Sequence, residues 1–129
     1  MDDLAYGYKP NTNQLDFVSD NVAASNYTED IDGQAAGNYQ YDAIGNLTSD
    51  VTGKISNISW TVYGKIAAIT KTDGSIIRYT YYASGNRICK TANGVETWYV
   101  RDATGNTMAV YTKTATATLT QYMYMAAVV

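Results

Sequence analysis

With 129 residues and a formal charge of −3, the chain can bury the core of one domain and has no basic stripe to neutralise a phosphate backbone, which excludes nucleic acid as an expected partner. Tyr, Thr, Val and Ile are plentiful while Leu and Glu are scarce, which favours strands over helices. No window approaches the roughly twenty apolar residues of a membrane-spanning helix, and Met1-Asp2-Asp3 does not open a signal peptide. Thirteen Tyr stand against one Phe, a balance suited to sheets where a ring packs while its hydroxyl reaches water or a partner.

In chain order, residues 1–38 read as an irregular segment. Tyr6, Tyr8 and Asn13-Gln14-Leu15 form one degenerate repeat. A polar stretch from about Ser19 to Asn38 follows, carrying Glu29, Asp30 and Asp32-Gly33, and is expected to be loop or linker.

Residues 39–125 are repetitive. The strings YQYDAIGN (Tyr39 to Asn46), YTYYASGN (Tyr79 to Asn86) and YVRDATGN (Tyr99 to Asn106) each place an aromatic four positions before Ala, with Gly-Asn one residue after it. TVYGKI (Thr61 to Ile66) is a weaker copy. Its Gly64 makes Gly45, Gly64, Gly85 and Gly105 a series spaced by 19, 21 and 20 residues, the length of one hairpin and too short for a pair of helices. Asp73-Gly74 and Asn93-Gly94 alternate with these sites and are the dipeptides favoured in two-residue type I′ turns. In the longer turns, Asp42 or Asp102 is expected to accept a hydrogen bond from the backbone two residues on, with Gly45 or Gly105 in the left-handed position beside a bulge.

The period predicts an all-β, antiparallel meander of β-hairpin repeats, with strands at Ile66 to Lys71, Ile76 to Ala83, Arg87 to Thr91, Glu96 to Arg101, Thr107 to Thr112 and Ala117 to Met125. Residues 126–129 are a short apolar tail without a polar cap. Uncapped ends imply a segment of a longer array, and unpaired edges imply self-association.

These residues resemble the YD-repeat, or RHS-repeat, family. The resemblance rests on YxYDAxGNLTSD from Tyr39 to Asp50 and on the later copies, and it covers about Tyr39 to Tyr111. It implies a section of a spiralling RHS-type β-shell in a secreted or cell-surface protein, where the wall encloses or presents a C-terminal effector such as a toxin. The partners implied are neighbouring repeats and that effector. The segment that seals and cleaves such shells has no counterpart in this chain.

Candidate chemistry is sparse. The chain has no histidine, so the commonest general base and metal ligand is missing. Cys89, the one cysteine, has no imidazole to activate it and reads as a structural thiol. Glu29, Asp30 and Asp32 lack the remaining oxygens of a calcium loop. Asp42 and Asp102 are the only carboxylates worth weighing as a catalytic pair, and their turn positions account for them without catalysis. The expectation is a chain with no enzymatic activity, no cofactor and no metal. As a competing use, aromatic rows including Trp60 and Trp98 could stack on the sugar rings of surface glycans, against the simpler role of cross-strand packing.

Overall fold

The computed structural model describes residues 3–23, 25, 26, 31–116 and 120–123. Among them every regular element is a strand: β1 (Leu4–Tyr8), β2 (Leu15–Asp20), β3 (Tyr39–Tyr41), β4 (Leu47–Asp50), β5 (Ile55–Trp60), β6 (Ile66–Lys71), β7 (Ile76–Tyr81), β8 (Arg87–Ala92), β9 (Val95–Arg101), β10 (Thr107–Lys113) and β11 (Thr120–Met123). All assigned pairings join consecutive strands and are antiparallel, as the hairpin period requires. The run Glu29-Asp30, the two ends of the last expected strand at 117–119 and 124–125, and the tail 126–129 lie outside the described residues. Two compact units divide the chain, Met1–Ile58 and Ser59–Val129.

In the first unit, β1 and β2 form a hairpin in which Gly7 lies opposite Phe17. A Cβ added at Gly7 would run into the Phe17 ring, so the ring lies over the bare glycine and fills the gap it leaves in the strand. The described residues between β2 and β3 form no strand, and Gln34 and Gly37 among them are hydrogen-bonded to β2. Gln34 pairs with Val18 twice: its N–H donates to the Val18 carbonyl (2.8 Å) and its Oε1 accepts the Val18 N–H (3.0 Å). Gly37 N–H donates to Asp16 Oδ2 (3.1 Å). The division at Ile58 also differs from the sequence boundary at residue 38. The Tyr39 hydroxyl accepts from Gln34 Nε2 (3.0 Å) and the Tyr41 hydroxyl donates to the Leu15 carbonyl (3.0 Å), which ties the first full repeat to the preceding segment.

In the second unit, β6 to β11 follow one another across a single sheet. β6 has its expected limits. β7 stops at Tyr81 rather than Ala83 because Tyr82 and Ala83 enter the next turn, and β8 and β9 extend until only Asn93-Gly94 separates them. On one face Ile69, Ile77, Ala92 and Val95 lie opposite one another in a cross-strand row. On the other, Thr80, Cys89, Trp98 and Tyr111 form a row, and Arg78, Thr91, Glu96 and Lys113 run beside it. Each such pair contributes roughly 0.2–1 kcal/mol.

Burial is shallow in both units. Among the described residues the buried apolar side chains are Val18, Ile58, Cys89 and Ala109, and the buried polar one is Asn38. Most Ile and Tyr of the strands are half-exposed. The fold is held by strand ladders, turns and rows of partly covered rings more than by an enclosed core.

Candidate functional site

The repeat-defining residues converge on one backbone device. In five loops, starting at Asp42, Thr61, Lys71, Tyr82 and Asp102, the first N–H donates to the fifth carbonyl at 2.7–3.0 Å, and the glycine N–H at the fourth position donates to the first carbonyl at 2.9–3.1 Å. Gly45, Gly64, Gly74, Gly85 and Gly105 all have left-handed φ, between 69 and 96°, the geometry of a three-residue hairpin loop closed by a bulge. The ladder slips beside three of these loops, at Gln40/Tyr41, Thr80/Tyr81 and Thr107/Ala109.

The expected type I′ turn is found at Asn93-Gly94, where φ is 51 and 74°. At Asp73-Gly74 it is not: Gly74 has φ 83°, while Asp73 is absent from the positive-φ residues. The Asp73 carboxylate accepts the Ser75 N–H (2.8 Å). That Asx bond and the Lys71 to Ser75 closure build the longer loop instead, so this site belongs with the Gly-Asn turns.

Side chains then decorate the common loop. Asp42 Oδ1 accepts the N–H groups of Ile44 (3.0 Å) and Asn46 (2.9 Å), and Asp42 Oδ2 accepts from Asn46 Nδ2 (2.9 Å). Asp102 repeats the pattern with Thr104 N–H (2.9 Å), Asn106 N–H (2.8 Å) and Asn106 Nδ2 (3.0 Å), and adds the Thr104 hydroxyl (2.8 Å). The Thr104 hydroxyl and the Asn106 amide bring the Asp102 carboxyl down to about 2. The Asn46 N–H chiefly lowers Asp42, and Ser75 lowers Asp73. Each carboxylate thus accepts its hydrogen bonds within its own loop, the use expected of an Asx residue in a turn. In the copies lacking Asp, Thr61 Oγ1 accepts the Lys65 N–H (3.1 Å), whereas the Tyr82 loop keeps only the backbone bonds and a long Asn86 Nδ2 to Ser84 Oγ contact (3.4 Å).

Successive loops also touch. A Cβ on Gly85 would lie 3.7 Å from Lys65 Cε, and one on Gly105 would lie 3.0 Å from Asn86 Nδ2. At Gly105 glycine therefore provides clearance for Asn86 as well as a positive φ, whereas a Cβ at Gly85 would meet Lys65 at ordinary contact distance.

A second repeated device involves the residue just before each of the three Gly-Asn loops. Tyr41 OH donates to the Leu15 carbonyl (3.0 Å), Tyr81 OH to the Ile66 carbonyl (2.8 Å), and Arg101 Nε to the Arg87 carbonyl (3.2 Å). Leu15, Ile66 and Arg87 open β2, β6 and β8. The second aromatic of the YxYD string is therefore a tether to the start of the preceding strand. Its signal in the sequence was the preference for Tyr over Phe. Asn38 gave no such signal, yet it is 3% exposed. Its Nδ2 donates to Asp50 Oδ1 (2.9 Å), and its Oδ1 accepts the Thr52 N–H (2.8 Å) and hydroxyl (2.6 Å).

Cys89 is buried, its Sγ 4.0 Å from Thr91 Oγ1, and burial raises its thiol above the ordinary range. Trp60 ends β5 and is half-buried. Trp98 is 42% exposed, with Nε1 donating to Glu96 Oε2 (2.9 Å). Tyr111 lies opposite Trp98, and Lys113 Nζ approaches Glu96 Oε2 at 3.8 Å. These four residues line a shelf of about 340 Å³ that Trp60 does not join. No protein-family model matches the chain, and no curated protein matches it.

Proposed function

We propose that the chain is a non-catalytic structural segment of a secreted or cell-surface shell of the RHS/YD-repeat kind, whose wall encloses or presents an effector domain. The observation that carries this reading is the recurrence, at repeat spacing, of one loop geometry and one strand-end tether with different side chains in them. Such units add one after another without any of them forming a catalytic centre. In this reading the partners are adjoining repeats, a downstream effector and, for an isolated segment with open edges, other copies of itself. Two measurements test it. Duplicating residues 82–101 should give a protein that folds with a larger urea m-value, and the neighbouring coding sequence should continue the twenty-residue period towards an effector. Loss of folding on duplication, together with flanking sequence free of repeats, would overturn it.

A second reading, a glycan-contacting adhesion module, is favoured by the Trp98 and Tyr111 shelf, where rings lie beside a carboxylate and an ammonium. It predicts glycan-array binding that is lost in Trp98→Ala with folding intact and is unaffected by Trp60→Ala, because Trp60 is outside the shelf.

A further inference from the structure

The repeats differ from one another at a few positions, and three of those differences meet in space. The residue after the loop glycine is Asn at Asn46, Asn86 and Asn106 but Ser at Ser75 and Lys at Lys65. Before the three Gly-Asn loops the residue is Tyr at Tyr41 and Tyr81 but Arg at Arg101. The residue opening the strand after a Gly-Asn turn is Leu47 or Thr107 in two copies and Arg87 in the third. Lys65, Arg87 and Arg101 line one recess of about 330 Å³ together with Tyr81, Gly85, Asn86 and Tyr99, and no carboxylate lines it.

In a chain with a net charge of −3, this is a local concentration of positive charge. Among the described residues the ion pairs are Lys9 with Asp16 and Lys113 with Glu96, so none of the three recess cations belongs to one. Asp102 follows Arg101 in sequence, but its oxygens accept from Thr104 and Asn106 inside its own loop. Three cationic residues lining one recess repel one another, and an anion bound among them would offset that repulsion.

Two of the cations are also held in place. Arg101 is fixed through Nε to the Arg87 carbonyl (3.2 Å) and through Nη1 to the Gly105 carbonyl (2.9 Å) and Thr107 Oγ1 (2.9 Å). The Arg87 guanidinium lies over the Tyr79 ring, 4.4 Å from its centroid. A planar guanidinium whose orientation is set by packing presents its remaining N–H groups as a fork matched to a tetrahedral oxyanion. Lys65 adds an ammonium to the lining, and Asn86 a neutral amide.

We propose that this recess is a binding site for an oxyanion of the phosphate or sulfate class, free or as the ester of a small molecule. The site needs no metal and no covalent step. It belongs to one junction between repeats, because only that junction carries all three replacements, and it stands whether or not the chain is part of a shell.

The test uses substitutions that return the site to the pattern of the sibling repeats. Lys65→Asn installs the Asn of the Gly-Asn loops, and Arg101→Tyr the Tyr of the other tethers. Titration by calorimetry at constant ionic strength should show inorganic phosphate and sulfate binding the parent protein with a stoichiometry of one. Each substitution should weaken that binding about tenfold or more, as expected for a charge-assisted hydrogen bond. Phosphate affinity should rise with pH as the dianion forms, whereas sulfate affinity should not. Phenyl phosphate binding as tightly as phosphate would assign the site to esters, and weaker binding would assign it to the free ion. No binding, binding matched by chloride, or full retention in Lys65→Asn would overturn the proposal. The Lys65 ammonium makes no hydrogen bond among the described residues, so Lys65→Asn decides the matter even if Arg101→Tyr fails to fold.

Discussion

The two units solve the same problem by different means. In the second, each hairpin is followed by another of its kind, and backbone ladders with nearest-neighbour tethers, Tyr81 to Ile66 and Arg101 to Arg87, hold the array together. In the first, the regular succession is broken between Asp20 and Tyr39; Tyr41 to Leu15 and Gln34 to Val18 bridge the interruption, and Asn38 at its end is fastened to Asp50 and Thr52. A repeat needs little buried polar chemistry while it has a neighbour of the same shape. Where the neighbour changes, individual hydrogen bonds set the register.

The largest effect is expected where that bridging is most buried. Asn38→Leu leaves the Thr52 N–H without its acceptor and should destabilise the first unit by about 2 kcal/mol in urea unfolding. An unchanged midpoint would show that the backbone holds the interruption unaided. Next come the loop glycines. Gly105→Ala should cost about 1–2 kcal/mol from its left-handed φ, more than Gly74→Ala, because only at Gly105 would the new Cβ also crowd a neighbouring loop, at 3.0 Å from Asn86. Equal losses would mean that contact between loops contributes nothing. Removing the tether hydroxyls in Tyr41→Phe and Tyr81→Phe should cost about 1 kcal/mol each. Amide exchange should then spread along β2 and β3 in the first case and stay within β6 and β7 in the second.

The smallest effect concerns acid. Asp42, Asp73 and Asp102 have folded pKa values below the ordinary carboxylate range, Asp102 at about 2. A depressed folded value means that the ionised carboxylate stabilises the fold in full above the unfolded pKa near 4, and that this stabilisation is lost as pH falls towards 2. Thermal melts should therefore drop between about pH 4 and pH 2. Asp102→Asn should melt slightly lower at neutral pH and show a shallower decline.

Much of the fold was legible in the sequence because hairpin turns have a strict residue chemistry. The Gly-Asn period located β6 to β10 to within two residues at each end, and Asp42 and Asp102 do what an Asx residue at that position is expected to do. Asp73-Gly74 misled because the same dipeptide suits two turns, and the choice between them depends on where the flanking ladder closes. The first unit was harder to read. Gln34 and Asn38 lie in a polar stretch with no periodicity, and nothing in their local sequence indicates that they pair with Val18 or with Asp50. The tethers were half visible: the excess of Tyr implied a use for the hydroxyl, but its acceptor is a backbone carbonyl in another strand. The cationic recess was hidden because its members look like scattered single charges until the hairpins are laid side by side.

The strand-end tether has a mechanical consequence. In the second unit consecutive strands lie side by side, so a force applied to the two ends would peel strands away in turn rather than shear the whole sheet at once. The bond from Tyr81 or Arg101 spans the mouth of its hairpin, next to the strand start that would be lifted, and acts there as a latch. Extension would proceed as a staircase with one step per hairpin, and the length of chain released at each step would be set by the same period that is written in the glycines.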